Sequence, residues 1–156
     1  MGVADLEDRL LMAVEPRDLR TRVLIWTLTA DAFPPPQELL AALDGLVLAA
    51  PGAGSVARGV LDALGSSLRA VRESRAPFFP VVLCSRCGCG PSHDAGLYGE
   101  ASARQYEEAG LDLGRGTPAS LDDGGGGLER VSPLQARLAL SVALSIEARK
   151  ARGGPL

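Results

Sequence analysis

The segment DGLVLAAPGAGSVARGVLDAL, Asp44–Leu64, decides the fold. Its first part, Gly45–Ala50, is almost wholly apolar, as expected of a strand buried on both faces in a parallel sheet covered by helices. Its last part opens a helical pattern over Ala57–Ser74, with apolar residues at 60, 61, 64, 68 and 71. Between them stands PGAGS, Pro51–Ser55. Glycine there has two readings. Gly52 and Gly54 make the turn and Ser55 caps the helix, or the backbone opens so that a ligand approaches it closely and an anion meets the free amides of the helix start. A GxG pair without a third glycine is not a dinucleotide fingerprint.

Working outward, the same alternation recurs. RVLIWTLT, Arg22–Thr29, is β-branched and aromatic and predicts a strand. Prolines 34–36 break the chain, and PQELLAAL predicts a helix to Leu43. PVVLCS, Pro80–Ser85, predicts a third buried strand. Leu97–Gly110 predicts a helix ending on glycine, and LDLGRG, 111–116, a short fourth strand. The last helix opens on Ser132 as N-cap with Pro133 in its first turn, and carries Arg149 and Lys150 at its end. Strands separated by helices imply an α/β fold. We expect a three-layer architecture with a small, mostly parallel sheet of about four strands and right-handed βαβ crossovers, Rossmann- or flavodoxin-like. The expected organisation is a helical extension over 1–21 (apolar stripe Leu6, Leu10, Met12, Val14), an α/β domain over 22–150 with a flexible glycine-rich insert at 117–128, and a disordered tail at 151–156. Ligands of such sheets sit beyond the carboxyl ends of the strands, and both PGAGS and SRCGCG fall on that edge.

Composition narrows the partners. The chain has 156 residues, enough for one domain with a real core, and its 46% apolar content with 4% aromatics means a core of Leu, Val and Ala. A net charge of −3 argues against a nucleic-acid partner. No apolar run is long enough for a bilayer, and the charged N-terminus is unlike a signal peptide, so we expect a soluble, cytoplasmic protein without a membrane partner. Three cysteines within six residues do not make a disulfide framework.

Cys84, Cys87, Cys89 and His93 read as C-x2-C-x-C-x3-H, a set that could hold zinc, although a cysteine ending an apolar strand usually behaves as a small buried hydrophobe. Ser92-His93-Asp94 contains the residue types of a hydrolase triad, but adjacent side chains point apart and cannot form a relay.

Four motifs in order resemble the C-terminal domain of bacterial-type L-asparaginases: GLVLAAPGAGSVARGVLDAL; PVVLCSRCGCG with its Ser-Arg pair; Tyr98 followed by Ala109-Gly110; and SPLQARLALSVAL with Ala136-Arg137. The resemblance spans Val23–Ala148. It implies the smaller domain of a two-domain amidohydrolase that converts L-asparagine to L-aspartate and ammonia. The catalytic threonines of that family lie in Thr-Gly-Gly-Thr and Gly-Thr-Asp motifs. This chain has threonines only at 21, 27, 29 and 117, none in such a setting. The resemblance therefore implies no catalytic residue here and no activity from the isolated chain. It places Ser55 where the family usually has asparagine and Asp94 nearest the usual acidic contact, as substrate-binding residues across a subunit interface, with Gly52 and Gly54 as ligand-loop backbone. The implied partners are a second copy of the chain or a separately encoded N-terminal half, with a small amino acid as ligand. No cofactor is expected. The alternatives are a non-catalytic binding or dimerisation module of the same ancestry and a small zinc-binding protein.

Overall fold

A computed structural model of the chain describes residues 20–29, 31–52, 54–74, 79–87, 104–106, 108–111 and 132–152. Its elements are β1 (Val23–Thr27), α1 (Gln37–Ala42), β2 (Gly45–Ala50), α2 (Arg58–Ser74), β3 (Val81–Ser85) and α3 (Pro133–Ala151). The three strands form one parallel sheet in the order β1-β2-β3. Val23 pairs with Gly45, and Leu46 with Val81. The fold class is α/β.

The side-chain period of two divides every strand between two layers. Leu46, Leu48 and Ala50 of β2 and Val81 and Leu83 of β3 face a layer built by Leu40, Leu61, Leu64, Leu68 and Val71 of α1 and α2. Val23, Val47, Val82 and Cys84 face the opposite layer, which α3 closes with Ala136, Ala139, Leu140 and Ala143. Both crossover helices lie on one face, as crossovers of one hand must when the strands advance in one direction. All six residues of β2 are buried, which a parallel sheet with both faces covered requires.

The three strands and three helices described form where the sequence predicts them, with trimmed ends. β1 lacks the expected Arg22, Leu28 and Thr29, although the Leu28 amide still donates to the Ala49 carbonyl at 2.9 Å. Residues 104–106 and 108 are helical and end at Gly110, whose φ of 82° is the left-handed backbone that glycine tolerates. There Arg72 of α2 donates from Nη2 to the carbonyls of Phe79 (3.0 Å) and Gly110 (2.9 Å), tying the entry of β3 to this helix end.

α3 opens with a reciprocal cap: the Gln135 amide donates to Ser132 Oγ (3.3 Å) and the Ser132 amide to Gln135 Oε1 (3.0 Å). It runs through Ala151, one residue into the expected tail. Arg137 of α3 donates from Nε to the carbonyl of Val23 at 2.9 Å, which clasps the edge strand. The helical extension over residues 1–19 and the glycine-rich insert lie outside the described residues. So does the fourth strand apart from Leu111, which is buried and not in a strand.

Leu140 is fully buried between α3 and the sheet. Leu140→Ala is expected to lower unfolding free energy by about 2–5 kcal/mol, measured by urea denaturation.

Candidate functional site

The carboxyl edge of the sheet brings together the chain after β1, the PGAGS turn after β2 and the Ser85-Arg86-Cys87 turn after β3. Parallel pairing alone places them side by side. The Arg86 amide extends the ladder to the carbonyl of Ala50 at 2.9 Å.

Ser85 ties the two turns to each other. Its hydroxyl, almost buried, donates to the carbonyl of Gly52 at 2.5 Å and accepts from the Cys87 amide at 3.0 Å. Gly52 has φ 57° and Gly54 φ 91°, so the turn itself requires both glycines. The turn is closed from within: the amides of Gly54 (3.1 Å) and Ser55 (3.0 Å) both donate to the Pro51 carbonyl. The next amide, Val56, donates to Tyr106 Oη at 2.9 Å. Three consecutive amides that could cradle an anion are thus already engaged. Ser55 does not cap the helix, because α2 starts at Arg58 and its first turn closes from the Ala57 carbonyl to the Leu61 amide at 3.0 Å. The side chain of Ser55 is exposed on the rim of the edge, available to a partner molecule.

Of the expected metal set, Cys84 is buried in the α3-facing layer beside Val47 and Val82, and Cys87 is exposed in the turn after β3. Cys84 therefore packs as a small apolar side chain. Cys89, His93 and Asp94 lie outside the described residues. Among the described residues no group of three or more His, Cys, Asp or Glu is placed to hold a metal ion.

After β1, Thr29 Oγ1 donates to Asp31 Oδ1 at 3.0 Å, an exposed turn contact between near neighbours. Trp26 Nε1 donates to the carbonyl of Phe33 at 3.0 Å, which holds the loop against β1 and leaves the Phe33 side chain 82% exposed.

Among the described residues, two clefts lie elsewhere. One of about 360 Å³ separates α2 from Gln105, Glu108 and Ala109 and is lined also by Arg58, Asp62 and Arg69. The other, about 760 Å³, lies at the amino edge, where Arg20, Thr21 and Asp44 meet Ser145, Ala148 and Arg152. Neither is at the glycine turn.

Sequence reasoning found the glycine turn and the Ser-Arg pair but missed the roles of Ser85 Oγ and Tyr106. Each acts on a residue far away in the chain, so no local spacing signals it. No helix among the described residues is long and apolar enough to cross a membrane. No protein-family model matches the chain, and no curated protein matches it.

Replacing Tyr106 with Phe removes the acceptor for the Val56 amide. Tyr106→Phe is expected to cost about 1–3 kcal/mol in a urea melt and to speed exchange of the Val56 amide proton. Unchanged exchange there would show that Tyr106 does not hold the turn.

Proposed function

We propose that the chain is an asparaginase-like C-terminal domain that does not hydrolyse amides alone and serves a site completed by another polypeptide. The observation that carries this reading is the placement of the family-like motifs on the fold. PGAGS follows β2 and the Ser85-Arg86 pair closes β3, side by side on one sheet edge. Ala109-Gly110 ends a helical segment. Ser132-Pro133 opens α3, where Ala136 lies flat under the sheet and Arg137 reaches back to β1.

The reaction of the parent family forms an acyl-enzyme on an activated threonine. Thr27 lies in β1, Thr29 is held by Asp31, and Thr21 donates to the Ser141 carbonyl at 3.1 Å. Thr21 faces a carbonyl, which is no base, and the Thr29–Asp31 pair is an exposed contact within one turn, outside the sequence setting of the family's threonines. In this reading Ser55, and Asp94 beyond the described residues, face the substrate's amino-acid end in a neighbouring subunit, and Gly52 and Gly54 let the backbone approach it. The finer fold expectation, a Rossmann- or flavodoxin-like sheet with a fourth strand over 111–116, belongs to the same proposal. So do a cytoplasmic location and a homo-oligomer or a separately encoded N-terminal half as partner.

A second reading, a non-catalytic binding or dimerisation module, draws on the closed turn. With the amides of Gly54, Ser55 and Val56 engaged internally, the loop offers a partner its surface shape and the Ser55 hydroxyl rather than an anion cradle.

Ammonia release from L-asparagine separates the readings. The purified chain alone is expected to release none. The chain mixed with an asparaginase N-terminal half carrying both threonine motifs is expected to be active. Ser55→Ala should then lower kcat/KM of the mixture about tenfold, the loss of one hydrogen bond to substrate. Activity from the chain alone overturns the proposal, and an inactive mixture with a stable dimer of the chain favours the second reading.

A further inference from the structure

We propose that Phe33-Pro34-Pro35-Pro36 is a preformed polyproline II ridge that docks into an aromatic-lined groove of a partner protein. The segment belongs to none of the four family-like motifs, so this inference does not depend on the asparaginase-like reading. The sequence dictates the conformation. The proline rings hold φ at about −65° over 34–36. Phe33, Pro34 and Pro35 each precede a proline, which drives them out of the helical region toward extended or polyproline II backbone. Pro36 shows the result, with φ −56° and ψ 145°. The segment lies outside helix and strand, between a turn at Asp31 and the start of α1 at Gln37.

Polyproline II backbone repeats every three residues, so Phe33 and Pro36 share one edge, about 9 Å apart along the axis. The exposures follow that period. Phe33 is 82% exposed, more than any other large apolar side chain among the described residues, and Pro36 is exposed as well. Pro34 is half-buried and Pro35 is buried. Pro35 thus roots the ridge in the fold while Phe33 and Pro36 stand out from it. Both ends are pinned. Trp26 Nε1 donates to the Phe33 carbonyl at 3.0 Å, and the Leu40 amide donates to the Pro36 carbonyl at 3.1 Å.

A single exposed apolar side chain is ordinary on a protein surface. Here the exposed ring sits on a rigid backbone of matching period, and that combination identifies the occupant. A segment already held in polyproline II form has little ordering left to lose on binding, and grooves walled by aromatic rings recognise that form. Phe33, one turn ahead of Pro36, asks for such a groove with an apolar socket at one end for a phenyl ring. A large aromatic ring held outside the fold supplies the buried anchor of an interface once the socket covers it.

The test is titration calorimetry of the full chain with isolated SH3, WW and EVH1 domains, whose aromatic-lined grooves take polyproline II ligands. At least one domain is expected to bind, and Phe33→Ala to weaken that binding about tenfold or more. Leu134→Ala, which removes a 71% exposed side chain on α3, is expected to leave it unchanged. The urea midpoint of Phe33→Ala is expected to match the parent, because the Trp26 bond goes to the backbone carbonyl. Binding by none of the three domains overturns the proposal, as does a Phe33→Ala chain that binds like the parent. Equal weakening by Leu134→Ala overturns it in favour of general apolar adhesion. A lowered urea midpoint in Phe33→Ala also overturns it, because the ring then holds the loop rather than a partner.

Discussion

Burial of β2 on both faces is the constraint on which the rest of the structure depends. A strand of Gly, Leu, Val, Leu, Ala and Ala has no side fit for water, so it must be flanked by strands and roofed by helices. Parallel neighbours satisfy the first need and bring the crossovers α1 and α2 with them, on one face. That leaves the face of Val23, Val47, Val82 and Cys84 open, and α3 closes it from far along the chain. The alanines at 136, 139 and 143 let α3 lie close to the sheet. The carboxyl edge, with its two glycine-containing turns, follows from this arrangement.

Polar side chains then act mainly as ties on the backbone. Ser85 joins the turns after β2 and β3, Tyr106 holds the amide of Val56, Arg72 joins the start of β3 to Gly110, and Arg137 clasps β1. All but the Arg72–Phe79 bond span elements distant in sequence, and each engages a backbone group. Where such ties are dense, as around PGAGS, the loop is preorganised. A preorganised loop suits a site shared with a partner, because little ordering remains to be done on binding.

Much of the architecture was legible in the sequence, for local reasons. Gly45–Ala50 announces itself because an uninterrupted apolar run bounded by Asp44 and PGAGS fits a strand buried on both faces. The start of α3 is legible because Ser-Pro-x-Gln states a cap. The start of α2 was legible to within one residue, but its cap was not: Ser55 has the right chemistry for a cap, while the turn closes on Pro51 and the helix begins at Arg58. The ties were illegible because Ser85 meets Gly52, and Tyr106 meets Val56, only after the chain has folded. Cys84 shows how a motif and a fold compete for one residue: its spacing to Cys87 suggests a metal, and its place in β3 sets it among valines.

The distance along the chain from Ser85 to Pro133 has a consequence during synthesis. A ribosome needs on the order of several seconds to add that stretch. Throughout that interval β1, β2, β3 and their two crossover helices are complete, while the surface formed by Val23, Ile25, Val47, Val82 and Cys84 has no roof. The nascent chain is thus a half-sandwich with a greasy, ready-made sheet face, the kind of species that chaperones hold and that aggregates when they do not. Arrival of α3 ends that exposure, so a stall or premature stop before Pro133 harms this protein far more than the loss of a single terminal helix suggests.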